Sequence, residues 1–125
     1  AGNFINDDIL GSMEFACKVT GAKLILVMGH TNCGAIKGAI DDAELGNMTQ
    51  MLAKIKPAVE KTVYDGDKSS KNYEFVDLVS KENVLLAIED IKFRSPVLKE
   101  MLDNGEIDII GCMYNLTDGK VEIYK

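Results

Sequence analysis

The chain has 125 residues, 46% of them hydrophobic and 27% charged, so a single domain over residues 1–125 with a substantial core is expected and disorder is excluded. Its 14 Lys and Arg face 20 Asp and Glu, and the net charge of −6 argues against nonspecific binding to nucleic acid or to an anionic membrane. No apolar run is long enough to span a bilayer, no signal-peptide pattern opens the chain, and three cysteines without framework spacing point to a reducing, cytoplasmic setting.

Asn6-Asp7-Asp8 predicts a helix start with acidic residues in its first turn. Ile9, Leu10, Met13, Ala16 and Cys17 recur at helical spacing, and Gly21 supplies a stop. Lys23 to Met28 is nearly continuous Leu, Ile and Val, the pattern of a parallel strand buried on both faces. Gly29 to Gly34 predicts a tight turn and Ala35 to Ala43 a short helix. Gly46-Asn47 opens another helix, with Met48, Met51, Leu52, Ile55, Val59 and Val63 as its apolar stripe and a kink or break at Pro57. Asp65 to Asn72 is polar and the best candidate for a mobile loop. Phe75 to Phe93 predicts a long amphipathic helix that could break at Ser80. Ser95-Pro96 joins an N-cap to a proline at the first helical position, and Asn104-Gly105 ends that helix. Ile107 to Tyr114 is a second buried strand, Asp118-Gly119 a hairpin turn, and Lys120 to Tyr124 an antiparallel return. This order predicts an α/β layered fold with a right-handed crossover.

The segment richest in chemistry is Gly29-His30-Thr31-Asn32-Cys33-Gly34, which follows a predicted strand and opens a helix. Ligands in open α/β sheets bind at the carboxyl ends of strands. His30 is the only histidine, and an imidazole nitrogen and a thiolate three residues apart on a turn can both bind zinc. A helix N-terminus beside Cys33 would favour the thiolate. The spacing alone is weak, however, and an ordinary His beside a packed Cys accounts for it as well. Two ligands also fall short of the three or four that zinc takes. Cys17 on the apolar face of its helix and Cys112 inside a buried strand read as packed thiols, while Asp41, Asp42 and Glu44 read as a solvated face.

Together these segments resemble the β-class carbonic anhydrases. The resemblance runs through Ala1-Gly2-Asn3, Asn6 to Ala16, Gly21 to Ile25, Met28 to Ala35, Ser95 to Leu98 and Gly111 to Tyr114. It implies a mostly parallel β-sheet flanked by helices with a C-terminal hairpin, and a homodimer or higher homo-oligomer. It further implies one Zn²⁺ held by Cys, His and Cys, the last two being His30 and Cys33. In such proteins the zinc acidifies its bound water, and the resulting hydroxide attacks carbon dioxide to give bicarbonate. Gly34, through its backbone, and Gly2 and Asn3 are the substrate-side candidates on this chain.

The sequence departs from the family in one respect. The first cysteine ligand belongs to a Cys-x-Asp-x-Arg motif upstream of Ala-Gly-Asn, and these 125 residues hold no counterpart. The chain opens in the middle of a motif, so an N-terminal segment that completes the site is expected. Without its strand, the Lys23 to Met28 strand has an open edge. Weak or absent activity is therefore expected of these residues alone. The alternatives are a catalytically silent structural or partner-binding domain, separated by whether the upstream motif exists, and a carbonyl sulfide or carbon disulfide hydrolase, separated only by substrate assay.

Overall fold

The computed structural model describes residues 1–124. The chain begins with α1 (Asp7–Glu14), which winds on into a wider π-helical turn over Phe15–Val19. Then come β1 (Leu24–His30), α2 (Gly34–Ile40), α3 (Gly46–Ala53), α4 (Lys56–Lys61), α5 (Tyr73–Arg94), α6 (Pro96–Asp103), β2 (Asp108–Tyr114) and β3 (Val121–Tyr124). The sheet order is β1-β2-β3: β1 pairs with β2 in parallel and β2 with β3 antiparallel. The parallel pair with a helical crossover and the closing hairpin are as expected. The hairpin loop is closed by Asn115 and Lys120, whose backbone groups bond at 2.8 Å.

Local signals account for most boundaries. The Asn6 side chain caps α1 by accepting from the Ile9 amide at 2.9 Å. Pro57 does not kink a single helix; the chain breaks at Lys54–Ile55 and restarts with Pro57 in the first turn of α4, where its missing N–H costs nothing. The helix expected over 75–93 runs unbroken through Ser80. Ser80 is buried and satisfies its hydroxyl against the His30 carbonyl at 3.3 Å, so it does not disturb the helix's own bonds. The Asp65 to Asn72 loop is crossed by its own bonds, with the Asp67 carboxylate accepting from the Ser69 amide and the Asn72 amide donating to the Asp67 carbonyl.

The long helix α5 organises the interior. Phe75, Val76 and Val79, in its first half, pack with Ile36, Leu52, Ile55 and Ala58 from α2 to α4. Val84, Ile88 and Ile91, in its second half, pack with Ile25, Val27 and Ile109 of the sheet and Leu98 and Met101 of α6. Gly29 and Gly111 let the helix lie close on the sheet: a Cβ at Gly29 would sit 2.8 Å from Val84 Cγ2, and one at Gly111 2.8 Å from Ile88 Cδ1.

One expectation needs correction. β1 is not buried on both faces: Ile25 and Val27 are buried, but Leu24, Leu26 and Met28 are 50%, 48% and 41% exposed. Its unbroken apolar run made both faces look alike, yet among the described residues the helices cover only one. β1 is also the sheet's edge, with no strand on its other side among the described residues.

Ser95 joins α5 to α6 and is fully buried. Its hydroxyl oxygen accepts from the Leu98 amide at 3.1 Å while its proton goes to Glu14 at 2.5 Å, tying α6 to α1. Ser95→Ala removes a cap and leaves both partners unmatched. A loss of about 1–2 kcal/mol in unfolding free energy is expected, read as a lower urea midpoint at unchanged slope.

Candidate functional site

β1 delivers His30 to its carboxyl end, Thr31 and Asn32 turn the chain, and Cys33 occupies the N-cap position of α2. His30 and Cys33 thus stand at the two ends of one tight turn, as expected. Asn32 makes the turn possible with a left-handed backbone at φ 55°, a conformation that Asn tolerates better than most residues.

The turn orients the imidazole. His30 Nδ1 lies 2.9 Å from the Thr31 carbonyl oxygen. A carbonyl can only accept, so Nδ1 is the donor in this bond, and in the neutral ring that leaves Nε2 with its lone pair, the form that binds a metal. Cys33 is buried, at 5% exposure, with its backbone extended at the helix entrance.

Two other elements hold the turn. From β2 and the loop after it, the Tyr114 carbonyl accepts from the Thr31 amide and the Leu116 amide donates to the Thr31 hydroxyl, both at 3.0 Å. From α5, Ser80 donates to the His30 carbonyl and Asp77 accepts from the Asn32 amide at 3.0 Å. Sequence reading missed Asp77, because nothing local marks a helix residue 45 positions away as a partner of this turn. Ser80 and Asn83 did carry a signal: they are polar residues on an otherwise apolar stripe.

Gly2 and Asn3 lie beside the same region. Both have positive φ, and a Cβ on Gly2 would fall 3.3 Å from the Ala35 Cβ and 2.4 Å from Ile55 Cδ1. The Gly2 carbonyl accepts from Asn83 at 2.5 Å. Asn3 Nδ2 is buried without a hydrogen-bond partner among the described residues. Gly34 is exposed as the first residue of α2, with open space where a Cβ would stand.

The donor types fit zinc: an imidazole nitrogen and a cysteine sulfur are its commonest protein ligands. Their number does not complete a site, since among the described residues no three His, Cys, Asp or Glu side chains form a group that could hold a metal. Cys17 and Cys112 are buried as packed thiols, and burial pushes both thiols up from their ordinary pKa.

A groove of about 650 Å³ runs past the turn, lined by Thr31, Asp77, Lys81, Met113 and Tyr124 among others. Burial, and after it the charge of Glu122, pushes the Tyr124 phenol up to about 12. The folded state therefore holds this proton more tightly than the unfolded chain, whose tyrosines titrate near pH 10. The resulting stabilisation is present below about pH 10 and is lost as pH rises toward about 12. Tyr124→Phe is expected to flatten that part of the alkaline decline, which urea midpoints measured on both sides of pH 10 would reveal.

Comparison with known proteins finds relatives in both sequence and fold. A family model described as carbonic anhydrase matches residues 1–121. The carbonic anhydrase of Mycolicibacterium smegmatis is 31% identical over 98% of this chain and 59% of its own length. Carbonic anhydrase 2 of Mycobacterium tuberculosis is 31% identical over 96% of this chain and 58% of its own. The chain thus spans a little under three-fifths of these relatives. In fold it is similar to the β-carbonic anhydrase CcaA, with a TM-score of 0.84 at 23% identity over all of this chain and 60% of that one. The Coccomyxa β-carbonic anhydrase follows at 0.83 and 21% identity over 98% of this chain and 57% of its own.

Proposed function

The chain belongs to the β-class carbonic anhydrase family, and on that footing we propose that the protein catalyses the reversible hydration of carbon dioxide to bicarbonate at a zinc ion held in part by His30 and Cys33. The observation that carries this reading is the strand-end turn, which fixes the His30 tautomer with Nε2 free to bind a metal and sets Cys33 at a helix entrance. Zinc, when bound, supplies hydroxide from water near neutral pH. The residues of this chain position that ion and border the place of reaction. The Gly34 backbone lies one residue from Ala35, against which Gly2 packs, and Asn3 offers a buried donor, so these three are proposed to face the substrate.

The remaining zinc ligand is proposed to come from a cysteine upstream of Ala1, on a strand that pairs with the open edge of β1. Two features support this: the unpaired edge with its half-exposed apolar face, and the greater length of the relatives. A homo-oligomer in a reducing compartment is proposed as the working form, since all three cysteines are free and the β-carbonic anhydrases of Sordaria macrospora are described as tetrameric.

The test is zinc per chain and carbon dioxide hydration, measured on the full-length protein and on residues 1–125 alone. About one zinc per chain and activity are expected of the former, with weak zinc binding and little activity from the latter. A full-length protein that binds no zinc would instead support a silent member of the fold, a reading favoured by the count of only two donors here.

A further inference from the structure

We propose that Asp77 is a positioning residue for the zinc site, setting the separation of His30 and Cys33 through the peptide between them; this rests on the zinc reading above. Asn32 is the inner residue of the turn, and although Asn tolerates its left-handed backbone better than most residues, a turn fixed well enough to place two ligands still needs enforcement from its surroundings. The Asp77 carboxylate supplies that enforcement by accepting the Asn32 amide proton at 3.0 Å, a charge-assisted bond stronger than a neutral one. The Asn32 side chain is held in turn by the Lys37 ammonium, which stands 4.7 Å from the centre of the Tyr73 ring. Asp77 and Tyr73 both belong to α5, so one rigid helix grips the turn twice, while Ser80, one turn further on, holds the His30 carbonyl.

Metal ligands joined by a short turn have little freedom to adjust one at a time. A shift of the Asn32 peptide moves the His30 ring and the Cys33 sulfur together, because the Thr31 carbonyl that orients the imidazole is part of the same peptide unit. Outer partners of this kind commonly govern metal affinity by 10–100-fold.

The test uses the full-length protein and three variants, Asp77→Ala, Asp77→Asn and Met101→Ala. Met101 is buried in the core cluster where α6 meets α5, a cluster that includes no residue of the turn, so its truncation measures the effect of lost stability alone. Zinc affinity is read by competition with a chelator, and the geometry of the site from the visible bands of the cobalt-substituted protein. Asp77→Ala is expected to weaken zinc binding about 10-fold and shift the cobalt bands. Asp77→Asn keeps an oxygen that can accept the Asn32 proton and should recover most of the loss. Met101→Ala should leave affinity and spectrum unchanged despite lower stability. Wild-type affinity and spectrum in Asp77→Ala would overturn the proposal, as would an Asp77→Asn variant no better than Asp77→Ala, or an equal loss in Met101→Ala. A wild-type protein that takes up no zinc would overturn the zinc reading itself, and the proposal with it.

Discussion

Full-length protein carrying Cys33→Ser is expected to purify folded and nearly free of zinc, with carbon dioxide hydration lowered on the order of 100-fold or more, beyond the range set by outer partners. The substitution separates the metal from the fold unusually well. Cys33 occupies the N-cap position of α2, its backbone is extended at φ −72° and ψ 122°, and its side chain makes no capping bond. Serine is among the preferred residues at that position and can give the helix a cap it now lacks. Stability of the zinc-free protein should therefore hold or rise slightly, while the serine hydroxyl, protonated at neutral pH, cannot replace a thiolate. His30→Ala should lose zinc to the same degree, because a site of three protein ligands is left with two. The measurements are zinc content and melting temperature with and without added zinc. The wild type should gain stability from zinc by mass action, and neither variant should. Full zinc occupancy in Cys33→Ser would remove Cys33 from the site.

The parts of this molecule that sequence made legible are those governed by neighbours in the chain. Asn6 and Ser95-Pro96 set their own helix starts through bonds spanning a few residues and lie where the spacing placed them, and the hairpin marked by Asp118-Gly119 forms there, with a longer loop closed by Asn115 and Lys120. His30 and Cys33 were legible for the same reason, since one turn holds both. The exposed face of β1 was not, because Leu24, Leu26 and Met28 look the same whether another element covers them or none does. Nor was the support of the turn. Asp77 and Ser80 act on it across 45 and 50 positions, and only the packing of α5 on the sheet brings them to their partners.

That packing makes Gly29 the position where fold and site are most tightly coupled. It immediately precedes His30 and pairs with Met113 in the sheet, under α5. A Cβ there would lie 2.8 Å from both Met113 Sδ and Val84 Cγ2, closer than real carbon contacts allow, and a tight 3.0 Å from Ser80 Oγ. Met113 ends in a flexible thioether that can swing aside, but Val84 is fully buried and branched on the helix and cannot. Gly29→Val must therefore lift α5 or bow β1 outward, at a cost of about 1–3 kcal/mol, with Gly29→Ala at the lower end. The displaced helix carries Ser80 and Asp77 with it, so the two bonds it makes to the His30–Asn32 turn lengthen and zinc affinity should fall along with stability. Gly111→Ala is the control. It crowds Ile88 Cδ1 at 2.8 Å and Val84 Cγ1 at 2.9 Å on the same helix but pairs with Val27, further from the turn. It should cost comparable stability and much less metal affinity. Urea denaturation and chelator competition on both variants distinguish the effects: equal losses of zinc affinity would mean that the turn responds to global stability and not to the seat of α5 above Gly29.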